Sequence, residues 1–237
     1  MKISSLRHTI MGALLFAAMP ASAQDYKAIL ANSERPEAER ALDPIRKPEE
    51  MLKFYGVKPG DKVADLMASR GYYTAILSRA VGEKGVVYSA TPAFRDETKE
   101  RFKNPMYKNV KLVEGGMGTV ALPFDGSLDF VLINLDYHEV TAPDRAAMNQ
   151  KVFTALKPGG VYGVVDHNAA DGAGDTAAKT LHRIEKALVV KEATAAGFKL
   201  AKESDLLKNP DDSRGGNAIK EDRGKSDRFV LRFEKPK

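Results

Sequence analysis

Two short clusters hold most of the side chains that could do chemistry in this chain: Asp136-Tyr137-His138 and Asp166-His167-Asn168. Each sets a carboxylate beside an imidazole, whose unperturbed pKa lies nearest neutrality. Such groups suit general acid–base work, in which a positioned side chain takes a proton from an attacking oxygen or nitrogen. His138 is the candidate base, and Tyr137 and His167 are the further catalytic candidates. The same residue types also suit a transition metal, but the ligands run across two separate clusters and no His-Glu-x-x-His helix is present, so no metal site is assigned. His182 reads as a helix residue facing solvent or a partner side chain. Neither a phosphate loop nor a serine-hydrolase elbow is found. Cysteine is absent, which removes disulfides, thiolate metal centres and a cysteine nucleophile.

Both clusters follow apolar runs, "SLDFVLIN" and "VYGVV", so each should stand at the carboxyl end of a buried strand. Upstream, "DKVADLMA", "GVVYSAT" and "NVKLVEGG" read as three more strands. Helical patterns separate them. Pro48, Glu49 and Glu50 open one that Gly56 stops. Tyr73, Ile76, Leu77 and Ala80 share a face of the next, "FRDETKERF" is a charged exposed helix, and Pro143 to Leu156 is a fourth, ended by "KPGG". Asp175 is placed as the cap of a long helix in which Leu181, Ile184 and Leu188 share a face. The strands "FKLAKESDLL" and "DRFVLRFEKP" close the pattern with only a polar loop between them. The alternation predicts an α/β fold: a doubly wound, mostly parallel seven-stranded sheet with an antiparallel C-terminal hairpin. Ligands of such sheets bind beyond the carboxyl ends of the strands, where both clusters lie.

The opening residues give an address. Lys2 and Arg7 precede an apolar run from Ile10 to Met19, and Ala21-Ser22-Ala23 has the spacing of a secretory cleavage box. Residues 1–23 therefore read as a signal peptide, 24–46 as an N-terminal extension and 47–237 as one domain. The expected location is the periplasm or another exported compartment. The apolar run is too short to cross a bilayer, so no stable membrane insertion is expected. Removing the leader lowers the formal charge of +5 by two, because it holds two basic residues and no acid. No basic stripe with interleaved aromatics is visible, so nucleic acid is not expected as a partner. A small molecule is, and the oligomeric state stays open.

The ordered set "RKPEEMLKFYGVKPGDKVADL", "RGYYTAIL", "DYHEV", "LKPGGVYGVVDHNA", "HRIEKALVVKEATAAGFKLAKESDLLKNPDD" and "DRFVLRF" resembles a group of exported, predicted class I S-adenosylmethionine-dependent methyltransferases. The resemblance implies a Rossmann-like fold, S-adenosyl-L-methionine as cofactor and transfer of its methyl group to an unidentified small acceptor. By the family pattern an acid ends the first strand, and Asp65 stands there. The three turn glycines fall on Met67, Ser69 and Gly71, so two of the three are replaced. An acid that would bind both ribose hydroxyls is missing after the second strand, where "YSATP" offers Ser89 and Thr91 instead. Cofactor contacts are thereby assigned to Asp65, Ser69, Gly71, Tyr72, Ser89, Thr91, Glu114 and Asp136. Tyr72, Tyr73 and Tyr137 would wall the site against a sulfonium or a substrate ring. The departures keep a second reading open, an exported binding protein that retains the fold with a degenerate cofactor site.

Overall fold

The computed structural model describes residues 25–123, 125–220 and 224–237. The signal-peptide expectation for residues 1–23 lies outside them. Three short helices come first: α1 (Tyr26–Leu30), α2 (Glu37–Arg40) and α3 (Asp43–Arg46). Pro48 then opens α4 (Pro48–Tyr55), since its missing N–H is one the first turn leaves unused. Beyond it the chain alternates through β1 (Lys62–Leu66), α5 (Tyr72–Val81), β2 (Val86–Thr91), α6 (Asp96–Arg101) and β3 (Val110–Glu114). It continues with β4 (Leu128–Asn134), α7 (Ala142–Ala155), β5 (Leu156–His167), α8 (Ala178–Leu181), α9 (Lys186–Ala195), β6 (Lys199–Ser204) and β7 (Arg228–Glu234).

The seven strands form one sheet in the order β3-β2-β1-β4-β5-β7-β6. Strands β1 to β5 run parallel, and β7 lies antiparallel between β5 and β6. The expected seven-stranded sheet with its antiparallel C-terminal pair is therefore present. From β1 the order runs outward in one direction to β3, then resumes on the other side with β4. The chain leaving β1 and the chain leaving β4 thus diverge, and a crevice opens between their carboxyl ends.

Alternate residues of each central strand point to opposite faces, and both faces are dry. Val63, Phe130, Leu132, Val165 and Val230 pack under α1, α4 and α5, while Ala64, Leu66, Val131, Ile133, Val164 and Leu231 pack under α7 and α9. This explains why the strand sequences read as unbroken apolar runs.

Two expectations change. The "LKPGG" segment does not stop α7 outside the sheet; it is already part of β5, and the β4–β5 register shifts across it between Leu128 and Phe130. The long helix after Asp175 is broken. Residue His182 takes a left-handed backbone (φ 53°), and the next residues leave the helical path. Ile184 N–H donates to the His167 carbonyl, and Ala169 N–H donates to that of Ile184, a bridge that prolongs the sheet beyond β5. Arg183, fully buried, anchors the break by donating to Asp212 at 2.8 Å and to the carbonyls of Gly216 and Asn168. The Asp175 carboxylate accepts from Arg145 rather than capping a helix.

Helix α4 sits close to the sheet because β5 carries glycine under it. A Cβ at Gly163 would stand 2.8 Å from the Tyr55 ring and 3.0 Å from that of Phe130, inside van der Waals contact. Gly163→Ala is expected to lower stability by about 1–3 kcal/mol through overpacking, read as a fall in urea midpoint with the slope unchanged.

Candidate functional site

Strand β1 turns into α5 through five residues, and three of them adopt a left-handed backbone: Met67 at φ 56°, Ser69 at 50° and Gly71 at 83°. These are the three positions at which the resemblance implies glycine. A side chain in that conformation costs roughly 1–2 kcal/mol, so the turn holds its shape at Met67 and Ser69 against the local preference. Its ties are visible. Ala68 N–H donates to Ala90 O at 3.0 Å, Gly71 N–H to Ala68 O at 2.7 Å, and Arg101 to Arg70 O at 3.2 Å. Gly71 has a second reason to be glycine, because a Cβ there would lie 2.4 Å from the Phe102 ring.

Beneath the turn, the Asp65 carboxylate accepts the Thr74 hydroxyl at 2.6 Å, and Thr74 and Ser89 share a hydroxyl contact of 2.8 Å. Burial pushes the Asp65 carboxyl up to about 7, against the lowering effect of the Thr74 bonds and of Arg46. Ser89 is thereby spent inside the protein. Thr91 is also buried and stands outside the cleft lining. Glu114 turns outward, accepting from Phe94 N–H at 2.7 Å and pairing with Lys99 at 2.9 Å.

The crevice is a cleft of about 530 Å³. One wall is Asp65 with the turn from Leu66 to Arg70; the other is Asn134, Leu135 and Asp136 after β4, with His167 and Arg228 behind. The N-terminal segment lines it as well, through Ala38, Glu39, Leu42, Ile45 and Arg46. Asp43 pins that segment in place, accepting two bonds from Arg35 at 2.7 and 2.8 Å and one from the Tyr72 hydroxyl at 2.7 Å. The Arg101–Glu39 pair fastens it to α6.

The charges in the cleft are mixed. Arg46 lies over the Tyr72 ring, 4.4 Å from its centre. Arg228, only 7% exposed, donates to the Ile45 carbonyl at 2.8 Å, and its Nε has no partner among the described residues. Burial pushes the Arg228 guanidinium down from its ordinary range, and Arg46 adds to that. Facing these cations are the carboxyls of Asp65 and Asp136, and burial with the nearby Asp166 charge lifts Asp136 to about 7. The cleft thus presents both signs of charge. Arg46 and Arg228 escaped the sequence reading because they are far apart in the chain; the only local signal was a basic residue just before each well-patterned element.

The structure separates the predicted catalytic residues. His167 lines the cleft, as does the predicted cofactor contact Asp136, but His138 does not. Its ring is buried and donates to Asp166, Nδ1 to Oδ1 at 2.8 Å, while Nε2 faces Glu139 at 3.1 Å and His182 at 3.3 Å. Burial lowers the His138 pKa, yet Asp166 and Glu139 outweigh it and raise the group to about 9. His167 is held the other way: burial pushes it down to about 4, and its Nδ1 meets the Ser226 hydroxyl at 2.7 Å. Tyr137 is fully buried away from the cleft, donating to Glu192 and accepting from Asn149, both at 2.8 Å. Tyr72 and Tyr73 do line the cleft.

With this geometry in view, comparison with known proteins gives a consistent picture. Residues 63–160 match the methyltransferase domain family. A demethylmenaquinone methyltransferase of Staphylococcus aureus (strain JH9) is 35% identical over 114 residues, 47% of this chain and 45% of that protein. The chain thus spans about half the length of the curated relative it matches. Among solved structures, an S-adenosylmethionine-dependent methyltransferase from Aquifex aeolicus superposes with a TM-score of 0.60 at 23% identity, covering 84% of this chain and 98% of that one. The geranyl diphosphate C-methyltransferase of Streptomyces coelicolor A3(2), solved with Mg2+, geranyl diphosphate and S-adenosyl-L-homocysteine, gives 0.62 at 15% identity, over 88% and 87% of the two chains. The fold is that of these S-adenosylmethionine-dependent methyltransferase structures, and the sequence matches the methyltransferase domain over residues 63–160.

Proposed function

We propose that this protein transfers a methyl group from S-adenosylmethionine to a small acceptor. The observation that carries the reading is the turn from Met67 to Gly71. It keeps left-handed geometry at all three glycine positions although two of them carry side chains. Nothing in local propensity favours that backbone at Met67 or Ser69, so its retention at the mouth of the cleft points to a ligand that needs it. The residues present fit the methionine half of the cofactor, whose ammonium and sulfonium charges find Asp65 and whose carboxylate finds Arg46 and Arg228. They fit the ribose less well, because the chain supplies no carboxylate at the end of β2. When bound, the cofactor supplies an activated methyl group.

The chain's own part is then to bind, orient and deprotonate. Displacement at a methyl carbon depends mainly on alignment of the two reactants. Asp136 is the carboxylate placed to receive the acceptor's proton, because it stands on the cleft at the end of β4 whereas His138 is turned beneath it. The partly unpartnered Arg228 favours an acceptor bearing an acidic group. We further propose that the protein is exported, on the cleavage box at Ala21-Ser22-Ala23; the mature N-terminus, sequenced from cell fractions, should then be Gln24, and an intact Met1 would remove this address.

Calorimetric titration tests the assignment. S-adenosylmethionine and S-adenosylhomocysteine should bind one to one with Kd on the order of micromolar, and Met67→Gly should tighten both several-fold by clearing the side chain from a backbone already in glycine geometry. Absence of binding at millimolar ligand would leave the fold serving as a non-catalytic binding protein. Once an acceptor is found, Asp136→Asn should cut kcat by about 100-fold or more while sparing cofactor affinity; equal loss of both would make Asp136 a binding residue only.

Asp65 sets a pH signature of its own. Its carboxyl titrates near 7 in the folded chain but near the usual 3.9 when unfolded. The folded state therefore binds the extra proton between those values, and stability falls as pH rises from about 4 to about 7, then levels. Asp65→Asn, which keeps an acceptor for Thr74, should flatten that segment of the curve in denaturant titrations. An unchanged slope would show that Asp65 is already ionised in the fold.

A further inference from the structure

Behind the cleft wall, three donor atoms from two distant segments converge on one point. His138 Nε2, Glu139 Oε1 and His182 Nδ1 form a triangle with edges of 3.1, 3.3 and 2.8 Å. A tetrahedral zinc ion with bonds of about 2.0–2.1 Å holds its donors about 3.3 Å apart, so the triangle has nearly the dimensions of one face of such a site. We propose that His138, Glu139 and His182 bind a divalent transition metal, zinc by donor type.

The surroundings follow the pattern of a metal centre. A ligating imidazole usually gives its other ring N–H to a carboxylate, which fixes the tautomer and aims the lone pair. His138 does this with Asp166, whose two oxygens are themselves held by the backbone N–H groups of His138 and His167 at 2.8 and 2.7 Å. The donor therefore cannot swing away. His182 is delivered from the other side by the helix break, where the buried Arg183 and the Ile184 bridge fix the backbone on its carboxyl side. Two imidazoles and one carboxylate are the ligand set of catalytic zinc sites that keep an open position. The burial is graded to match: the His138 side chain is 1% exposed, that of His182 27% and that of Glu139 41%, which leaves the fourth position toward solvent. The set lies outside the cleft, and the inference is independent of methyl transfer.

A proton shared among the three donors is the competing occupant, and metal titration separates the two. The untagged protein, stripped with a chelator and dialysed, should take up one equivalent of zinc in calorimetry and melt at higher temperature with it. Cobalt(II) added in its place should give the intense visible bands of a four- or five-coordinate ion. His182→Ala and Glu139→Gln change partly exposed side chains, so both variants should fold, with circular dichroism as the check. Each should weaken zinc by about 100-fold or more and abolish the cobalt bands. Failure to bind one equivalent of zinc, or binding that neither variant alters, would overturn the proposal.

Discussion

The structure around the site depends on one backbone constraint: the chain leaving β1 must reverse within five residues so that α5 can lie back on the sheet. Left-handed residues make that possible, and the surrounding contacts impose them at Met67 and Ser69 as well as at Gly71. The reversal is closed from below by the Asp65–Thr74–Ser89 chain and from the side by Phe102. Because α5 is anchored this way, Tyr72 projects to where Asp43 can accept its hydroxyl. The N-terminal helices are thus hung on the turn, and they complete the cleft. A change at the turn would be felt in the roof as well as in the floor.

Asp166 plays the corresponding part on the other wall. Fully buried, it spends its oxygens on the His138 ring and on two backbone N–H groups, so its charge is compensated on every side. The cost of burying that carboxylate is met by the N–H groups that surround it, the His138 ring among them, in line with the general need of buried charges for a partner. Burial keeps His167 neutral against the opposing pull of the Asp166 charge. The two imidazoles beside Asp166 are thus held differently, with ring centres 6.2 Å apart.

The fold was legible in the sequence because strands buried on both faces leave unbroken apolar runs, and "VADL", "DFVLIN" and "VYGVV" are such runs. What failed to read was the direction of single side chains at the strand ends. Position after β4 placed Asp136 and His138 on the same rim, but a 3-10 turn from Tyr137 to Glu139 sends Asp136 to the cleft and His138 beneath it. The helix pattern of Leu181, Ile184 and Leu188 was present in the residues and lost to a tertiary demand, since burying Arg183 with Asp212 and bridging Ile184 to Asn168 offset the broken helical turns. Met67 and Ser69 gave no warning of a left-handed backbone by residue type; only the resemblance, which sets glycine at both positions, pointed to it.

The segment before α4 shows how a site can be assembled from parts that carry no motif. Residues 25–46 lack clear periodicity, and their short helices add only Tyr26, Ile29, Leu30 and Leu42 to the core. Beside that packing they are fixed by arginine–carboxylate pairs, Arg35 with Asp43 and Arg101 with Glu39, partly shielded from solvent. Pairs of that kind are directional, so they position the roof more narrowly than apolar contact would. The same segment brings Arg46 and the Ile45 carbonyl to Arg228, placing two cations side by side at the back of the cleft. Two like charges in a partly dry pocket repel, and an anionic group between them would relieve that repulsion and supply the partner that Arg228 Nε lacks. The roof thus does more than cover the cleft: through Arg46 it supplies part of the positive charge against which an acidic ligand would be held.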